Sequence, residues 1–150
     1  MQQPLDNLLT PERTACQVPG VSKKRLFETI ARIISEDQLS LSYDEIFAQF
    51  IAREKLGSTG LGAGIAIPHS RIDNCTQPLG TLITLAEPID YDAPDGRQVD
   101  LVFALLVPSE AHQQHLDTLA HIARKFSDAE FCQRLRQADN TAALYDLATG

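Results

Sequence analysis

No run in this chain reaches the roughly 18 consecutive apolar residues that a membrane-spanning helix needs. Membrane insertion is therefore not expected. The chain also lacks a basic excess: 13 Lys and Arg stand against 20 Asp and Glu, for a net charge of -7. Phosphate backbones and anionic lipids are held by clustered Lys and Arg, so nucleic acid is not expected as a partner, whereas a basic protein surface fits. The N-terminus shows no charged segment followed by an apolar one, so no signal peptide is expected. Cysteine is scarce, odd in number and scattered, at Cys16, Cys75 and Cys132. That pattern fits reduced thiols in the cytoplasm, the expected location, better than a disulfide framework. There are no repeats, low-complexity tracts or internal linkers. With 43% hydrophobic residues over 150 positions, one domain spanning 1–150 can bury a substantial core.

Several catalytic signatures are missing too. The glycine run GSTGLGAGIAIPHSR, residues 57–71, invites a nucleotide-loop reading. Gly57 and Gly62 have Walker spacing, but Ala63 stands where the phosphate-binding lysine belongs. Gly60 and Gly62 could open a dinucleotide loop, but Ile65 replaces its third glycine, and Pro68 restricts Ile67 to extended geometry. His112 and His115 form H-x-x-H, yet no H-E-x-x-H or C-x-x-C accompanies them. No G-x-S-x-G elbow is present for a serine hydrolase. Neither a metal nor a cofactor is expected.

What is present is an alternation of strand and helix signals, the mark of an α/β layer fold. Residues 14–18 suit a short strand. Ser22 can cap a first helix with apolar Leu26, Ile30 and Ile33, and Val21 with Leu26 occupies hydrophobic-staple positions. The KKR at 23–25 reads as a solvated face. Ser42 with Glu45 forms a capping box for a second helix, with Leu41 and Ile46 as its staple. Its buried stripe runs Ile46, Phe50 and then Arg53, a guanidinium that either snorkels or is aimed at an anion. Gly57 suits a left-handed helix stop. Residues 65–67 and 79–85 suit strands, and 101–107, LVFALLV, suits a central strand buried on both faces. A third helix over about 111–126 would carry Leu116, Leu119, Ala123 and Phe126 inward. Ser127 with Glu130 forms a further capping box, and Asn140 can cap a last helix.

Among the histidines, His121 lies on the polar face of the third helix, His112 near its start, and His115 on the shoulder of its apolar stripe. His69 stands apart. Pro68 stiffens the backbone before it, and the preceding glycines leave room for another protein's surface. A neutral imidazole is a competent nucleophile, and a phosphoryl group arriving there could be met by Arg53, by backbone N–H groups and by a second imidazole. A structural histidine at a strand end is the alternative from spacing alone.

REKLGSTGLGAGIAIPHSR, residues 53–71, resembles the signature of the mannitol/fructose-type IIA components of the bacterial phosphotransferase system. HLDTL at 115–119, after the strand LVFALLVP, resembles that family's second active-site element. The resemblance runs over essentially the whole chain. VSKKRLFE, REKLGSTG and DLVFALLVP fit best with its nitrogen-regulatory branch, IIA-Ntr. It implies a single-domain mixed β-sheet flanked by helices on both faces. It further implies that His69 accepts a phosphoryl group from an HPr-like phosphocarrier of the nitrogen branch, that Arg53 compensates the charge, and that His115 donates a hydrogen bond to the phosphoryl group. Sugar-branch relatives pass the group to a IIB domain. Nitrogen-branch members act as regulators, binding target proteins such as transporters or sensor kinases according to phosphorylation state. A regulator that binds without transfer is a further alternative. The chain departs from the family pattern at Ala63, where many relatives carry Asn.

Overall fold

The computed structural model describes residues 5–110 and 112–150, and all side chains in that span except those of residues 6 and 112–115. Six strands form one mixed sheet, β1 (Thr14–Val18), β2 (Gly60–Gly62), β3 (Ile65–Ala66), β4 (His69–Ile72), β5 (Leu79–Ile89) and β6 (Val99–Pro108). Five helices accompany it, α1 (Lys23–Asp37), α2 (Tyr43–Lys55), α3 (His112–Phe126), α4 (Ala129–Gln137) and α5 (Thr141–Thr149). The sheet order is β1-β5-β6-β3-β2, with β4 also paired to β6. β5 and β6 are antiparallel, whereas β1 runs parallel to β5, and both β3 and β4 run parallel to β6.

Strand β6 explains the layers. Leu101 through Val107 are all fully buried, as an unbroken apolar run in a central strand should be. Because successive side chains point to opposite faces, Val102, Ala104 and Leu106 join one apolar cluster while Leu101, Phe103, Leu105 and Val107 join another. The first cluster is closed by α1 and α2 through Phe27, Ile30, Ile46 and Phe50. The second is closed by α3, α4 and α5 through Ile122, Phe126, Leu135 and Leu144. Helices thus cover both faces of the sheet.

The helix starts largely follow the local signals. The Ser22 hydroxyl accepts from Arg25 N–H, that of Ser42 from Glu45 N–H, and the Asn140 side chain from Ala143 N–H. Leu41 and Ile46 are both buried, but Val21 is 67% exposed, so no staple closes over the start of α1. α4 is capped by Asp128 rather than Ser127: the Asp128 carboxylate accepts from Glu130 and Phe131 N–H. The Ser127 hydroxyl instead donates to the Arg124 carbonyl at the end of α3, so it is committed to the preceding helix. On α3 the inward stripe is Leu119, Ile122, Ala123 and Phe126, while Leu116 is 58% exposed. Each step of three residues falls about 60° short of a full turn, and Leu116 has drifted to the edge of the stripe. His121 is half-buried rather than fully solvated. Among the described residues no helix is long and apolar enough to cross a membrane.

Candidate functional site

The site forms where one edge of β6 is paired by two short strands in succession. β3 matches Ile65 to Leu101 and Ala66 to Val102, and β4 resumes with His69 opposite Leu105. Between them lies Pro68, which has no N–H to offer a ladder, although its carbonyl still accepts from Leu105 N–H at 2.9 Å. His69 is therefore the first residue after an interruption in the pairing, half-buried at the rim of the sheet.

α2 brings Arg53 to it. The Ser70 hydroxyl donates to the Gln49 carbonyl at 3.2 Å, docking the helix on β4. Arg53 lies one helical turn beyond Gln49 and so reaches the residue beside Ser70. Its Nε is 3.3 Å from His69 Nε2, and its Nη1 donates to the Gly57 carbonyl at 3.0 Å. The other ring nitrogen, Nδ1, is 2.9 Å from the Ile67 carbonyl. A carbonyl can only accept, so Nδ1 carries the proton and Nε2 holds the lone pair facing Arg53. Burial of the ring is the main cause that holds the His69 pKa below the usual imidazole value. The Ile67 hydrogen bond opposes that shift, and the Arg53 charge adds to it. The imidazole is thus neutral near pH 7, with one oriented, nucleophilic nitrogen beside a guanidinium. His115 falls within α3, but its side chain lies outside the described residues, as does that of His112.

The glycine run is not a phosphate loop. Residues 63 and 64 join β2 to β3, and both have positive φ, 57° at Ala63 and 82° at Gly64. Two consecutive positive φ values are what a type I′ hairpin turn requires. The Ala63 N–H donates to the Asp95 carboxylate at 2.9 Å, and its carbonyl accepts from Arg136 Nη2 at 2.8 Å. Gly57, after the end of α2, has φ 153°, far from the left-handed helical well.

Four residues beside the site carry roles that their spacing did not reveal. The Glu54 carboxylate accepts from Thr59 N–H at 2.9 Å, from the Thr59 hydroxyl at 2.7 Å and from the Lys23 ammonium at 2.8 Å. The Thr59 hydroxyl also meets the buried Tyr91 hydroxyl at 2.8 Å, and the Lys23 ammonium sits 4.4 Å from the Tyr91 ring centroid. Burial raises the Tyr91 pKa well above its usual range, so the phenol remains a donor. Lys23 is therefore a structural cation; only Lys24 and Arg25 of the KKR are exposed. Among the described residues no three His, Cys, Asp or Glu side chains converge as a metal-ligand set.

The family described as "Phosphoenolpyruvate-dependent sugar phosphotransferase system, EIIA 2" matches residues 7–149. The chain belongs to that family. A nitrogen regulatory protein of Pseudomonas aeruginosa is 46% identical over 143 residues, covering 95% of this chain and 93% of the relative. A nitrogen regulatory protein of Escherichia coli is 42% identical over 146 residues, covering 97% and 89%. The crystal structure of nitrogen regulatory protein IIA-Ntr from Neisseria meningitidis superposes with a TM-score of 0.89 at 39% identity, covering 97% of this chain and 99% of that one. Both the family suggested by the 53–71 signature and the nitrogen-regulatory branch suggested by VSKKRLFE, REKLGSTG and DLVFALLVP are therefore those of its relatives, and the mixed sheet with helices on both faces is the EIIA 2 fold.

Proposed function

We propose that this EIIA 2 protein is a phosphoryl-carrier regulator that takes its phosphoryl group on His69 Nε2 from an HPr-like phosphocarrier of the nitrogen branch. The observation that carries the reading is the pair of contacts on the ring: Nδ1–H held by the Ile67 carbonyl and Nε2 facing Arg53. The Nε2 lone pair attacks the phosphorus of the donor's phosphohistidine. A new N–P bond forms as the donor's N–P bond breaks, and the donor imidazole leaves with that electron pair. Positive charge developing on the His69 ring is stabilised at Nδ1 by the Ile67 carbonyl. Arg53 gives up its contact to Nε2 and turns its N–H groups to the phosphoryl oxygens. His115, from α3, is assigned the second donor to those oxygens. No nucleotide is required, because the donor already has high transfer potential; positioning and electrostatics do the rest.

The unit that does this is the whole span 1–150, acting in the cytoplasm. The phosphoryl group adds roughly -1.5 to -2 charges at the exposed rim beside Arg53 and Gly57, a local change that lets target proteins such as transporters or sensor kinases distinguish the two forms. A sugar-specific IIA role, passing the group to a IIB domain, is less well supported, since the relatives at 39–46% identity are named nitrogen regulatory proteins.

The test is transfer from phosphoenolpyruvate through purified upstream proteins, followed by mass. Wild type should gain one phosphoryl group that is acid-labile and alkali-stable, and folded His69→Ala should gain none. Unchanged labelling of His69→Ala would remove the assignment.

A further inference from the structure

Glu54 is the most heavily engaged carboxylate near the site, with its side chain only 6% exposed. Its neighbour in sequence, Arg53, touches the acceptor directly, and Glu54 does not. Three hydrogen bonds, joined through the backbones of Thr59 and Ile67, nevertheless link Glu54 to the imidazole. Thr59 N–H donates to Glu54, Ile67 N–H donates to the Thr59 carbonyl at 3.0 Å, and His69 Nδ1–H donates to the Ile67 carbonyl.

The directions are fixed by chemistry. A threonine hydroxyl has a single proton, and a carboxylate can only accept, so the Thr59 hydroxyl donates to Glu54 and accepts from Tyr91. Residue 59 is thereby tied by its N–H, its hydroxyl and its carbonyl at once. Residues 57–58, by contrast, are exposed or half-exposed, and Gly57 is held only through its backbone, its carbonyl by Arg53 and its N–H by the Glu54 carbonyl. Without Glu54 the stretch from Arg53 to Thr59 would lose its side-chain anchor, and only the short β2–β3 pairing, Gly60 with Ala66 and Gly62 with Ile65, would set where the Thr59 carbonyl meets Ile67.

We propose that Glu54 is a positioning residue for the acceptor: through Thr59 it fixes the Ile67 carbonyl, and that carbonyl holds His69 in the Nδ1–H tautomer with Nε2 presented for attack. The proposal rests on His69 being the acceptor. Tyr91 is the outer donor that orients the Thr59 hydroxyl, and Lys23 balances the charge of Glu54. The same four groups would also close a loop in a protein with no chemistry at all, and the measurement must separate the two roles.

The direct measurement is the nitrogen spectrum of the His69 ring in the unphosphorylated protein, alongside transfer rates from the phosphocarrier. Wild type should show a single Nδ1–H tautomer. Folded Glu54→Gln and Thr59→Val should show mixed tautomers and transfer roughly ten-fold more slowly, a barrier rise of about 1.4 kcal/mol. Thr59→Ser, which keeps the hydroxyl, should restore both readouts. If Glu54→Gln does not fold, Thr59→Val against Thr59→Ser carries the test alone. An unchanged ring spectrum in the folded variants overturns the proposal, whether or not the rate falls. Should wild type take no phosphoryl group while the tautomer still shifts, the acceptor reading fails and the positioning of the ring stands.

Discussion

Two arginines in this chain are held in opposite ways. Arg13 is 5% exposed and bonded through all three nitrogens: Nε donates to the Gly80 carbonyl, Nη2 to the Leu8 carbonyl and Nη1 to the Asp37 carboxylate. Its charge is neutralised by another buried or half-buried group, and it ties the N-terminal segment to β5 and α1. Arg53 is half-buried and makes its hydrogen bonds to two neutral acceptors, the His69 ring and the Gly57 carbonyl. A guanidinium paired with a carboxylate has little left to offer a substrate. One that faces a neutral imidazole keeps its charge for an anion that arrives later. The comparison separates an arginine that maintains the fold from the one proposed to serve phosphoryl transfer, and each half can be broken separately.

The largest effect should come from Arg13→Ala. Removing one partner of a buried ion pair leaves the other uncompensated, at a cost of about 3–5 kcal/mol. Asp37 retains some contact with water, which places this case at the lower end. Denaturant unfolding should show that loss, while transfer per folded molecule stays near wild type. A variant of unchanged stability but slow transfer would reverse the roles given to the two arginines. Acid should weaken the same tie. Burial alone would raise the Asp37 pKa, but the hydrogen bonds from Gln38 and Arg13 bring it below the usual carboxylate value. The stability it contributes is therefore present above its unfolded value of about 3.8 and is lost as pH falls through the lower folded value.

Arg53→Ala comes next. Stability should change by less than about 1 kcal/mol, as for most substitutions outside the core. Transfer should slow by roughly ten- to a hundred-fold, the range that follows from losing one charge-assisted hydrogen bond of about 1.5–3 kcal/mol. Arg53→Lys should recover only part of the rate, because an ammonium cannot serve two acceptors with a planar fork. The pH dependence sharpens the point. With its folded pKa depressed, His69 stays neutral somewhat below 6.5, so wild-type transfer should persist there. Within that window the unfolded chain binds the extra proton, so stability falls as pH drops through it. In Arg53→Ala the His69 pKa should move up, because the Arg53 charge is one of the causes that lower it. An NMR titration showing no movement would mean that the guanidinium does not act on the ring electrostatically.

The contrast between the arginines was half visible in the sequence. Ile46, Phe50 and Arg53 share a helical stripe, which put Arg53 on the sheet side of α2, and the GIAIPH context singled out His69. The all-apolar 101–107 run made β6 central, and its alternation between two clusters follows from strand periodicity. Other features depend on tertiary partners. Thr59 and Tyr91 meet across 32 residues, and Lys23 reaches Glu54 from another helix, so neither contact leaves a periodic trace. Ser127 and Asp128 both suit a cap, and the choice was made by where the Ser127 hydroxyl could bond backwards. Arg13 sits in a short polar stretch, PERT, that gave no hint of a buried cation.

The smallest effect concerns a third arginine and the hairpin it holds. Arg136 stands between the two extremes: Nε donates to Asp100 at 3.0 Å, and Nη2 donates to the Ala63 carbonyl. Ala63 is thus fixed at φ 57° from both sides, with Asp95 on its N–H. A left-handed conformation costs a residue with a Cβ about 1–2 kcal/mol, less for Asn, whose short side chain bonds locally. Both anchoring bonds are to the backbone, and the side chain is exposed, so Ala63→Asn keeps them and has room. It should raise stability by roughly 0.5–1 kcal/mol in denaturant unfolding and leave the transfer rate within about two-fold, a margin of some 0.4 kcal/mol in the barrier. Ala63→Val, with branching at the Cβ, should lower stability instead. If Ala63→Asn changes the rate by ten-fold while the hairpin stays folded, the turn contributes a group to the reaction. In that case the division between charges that hold the fold and charges kept for the phosphoryl group would have to be redrawn to include it.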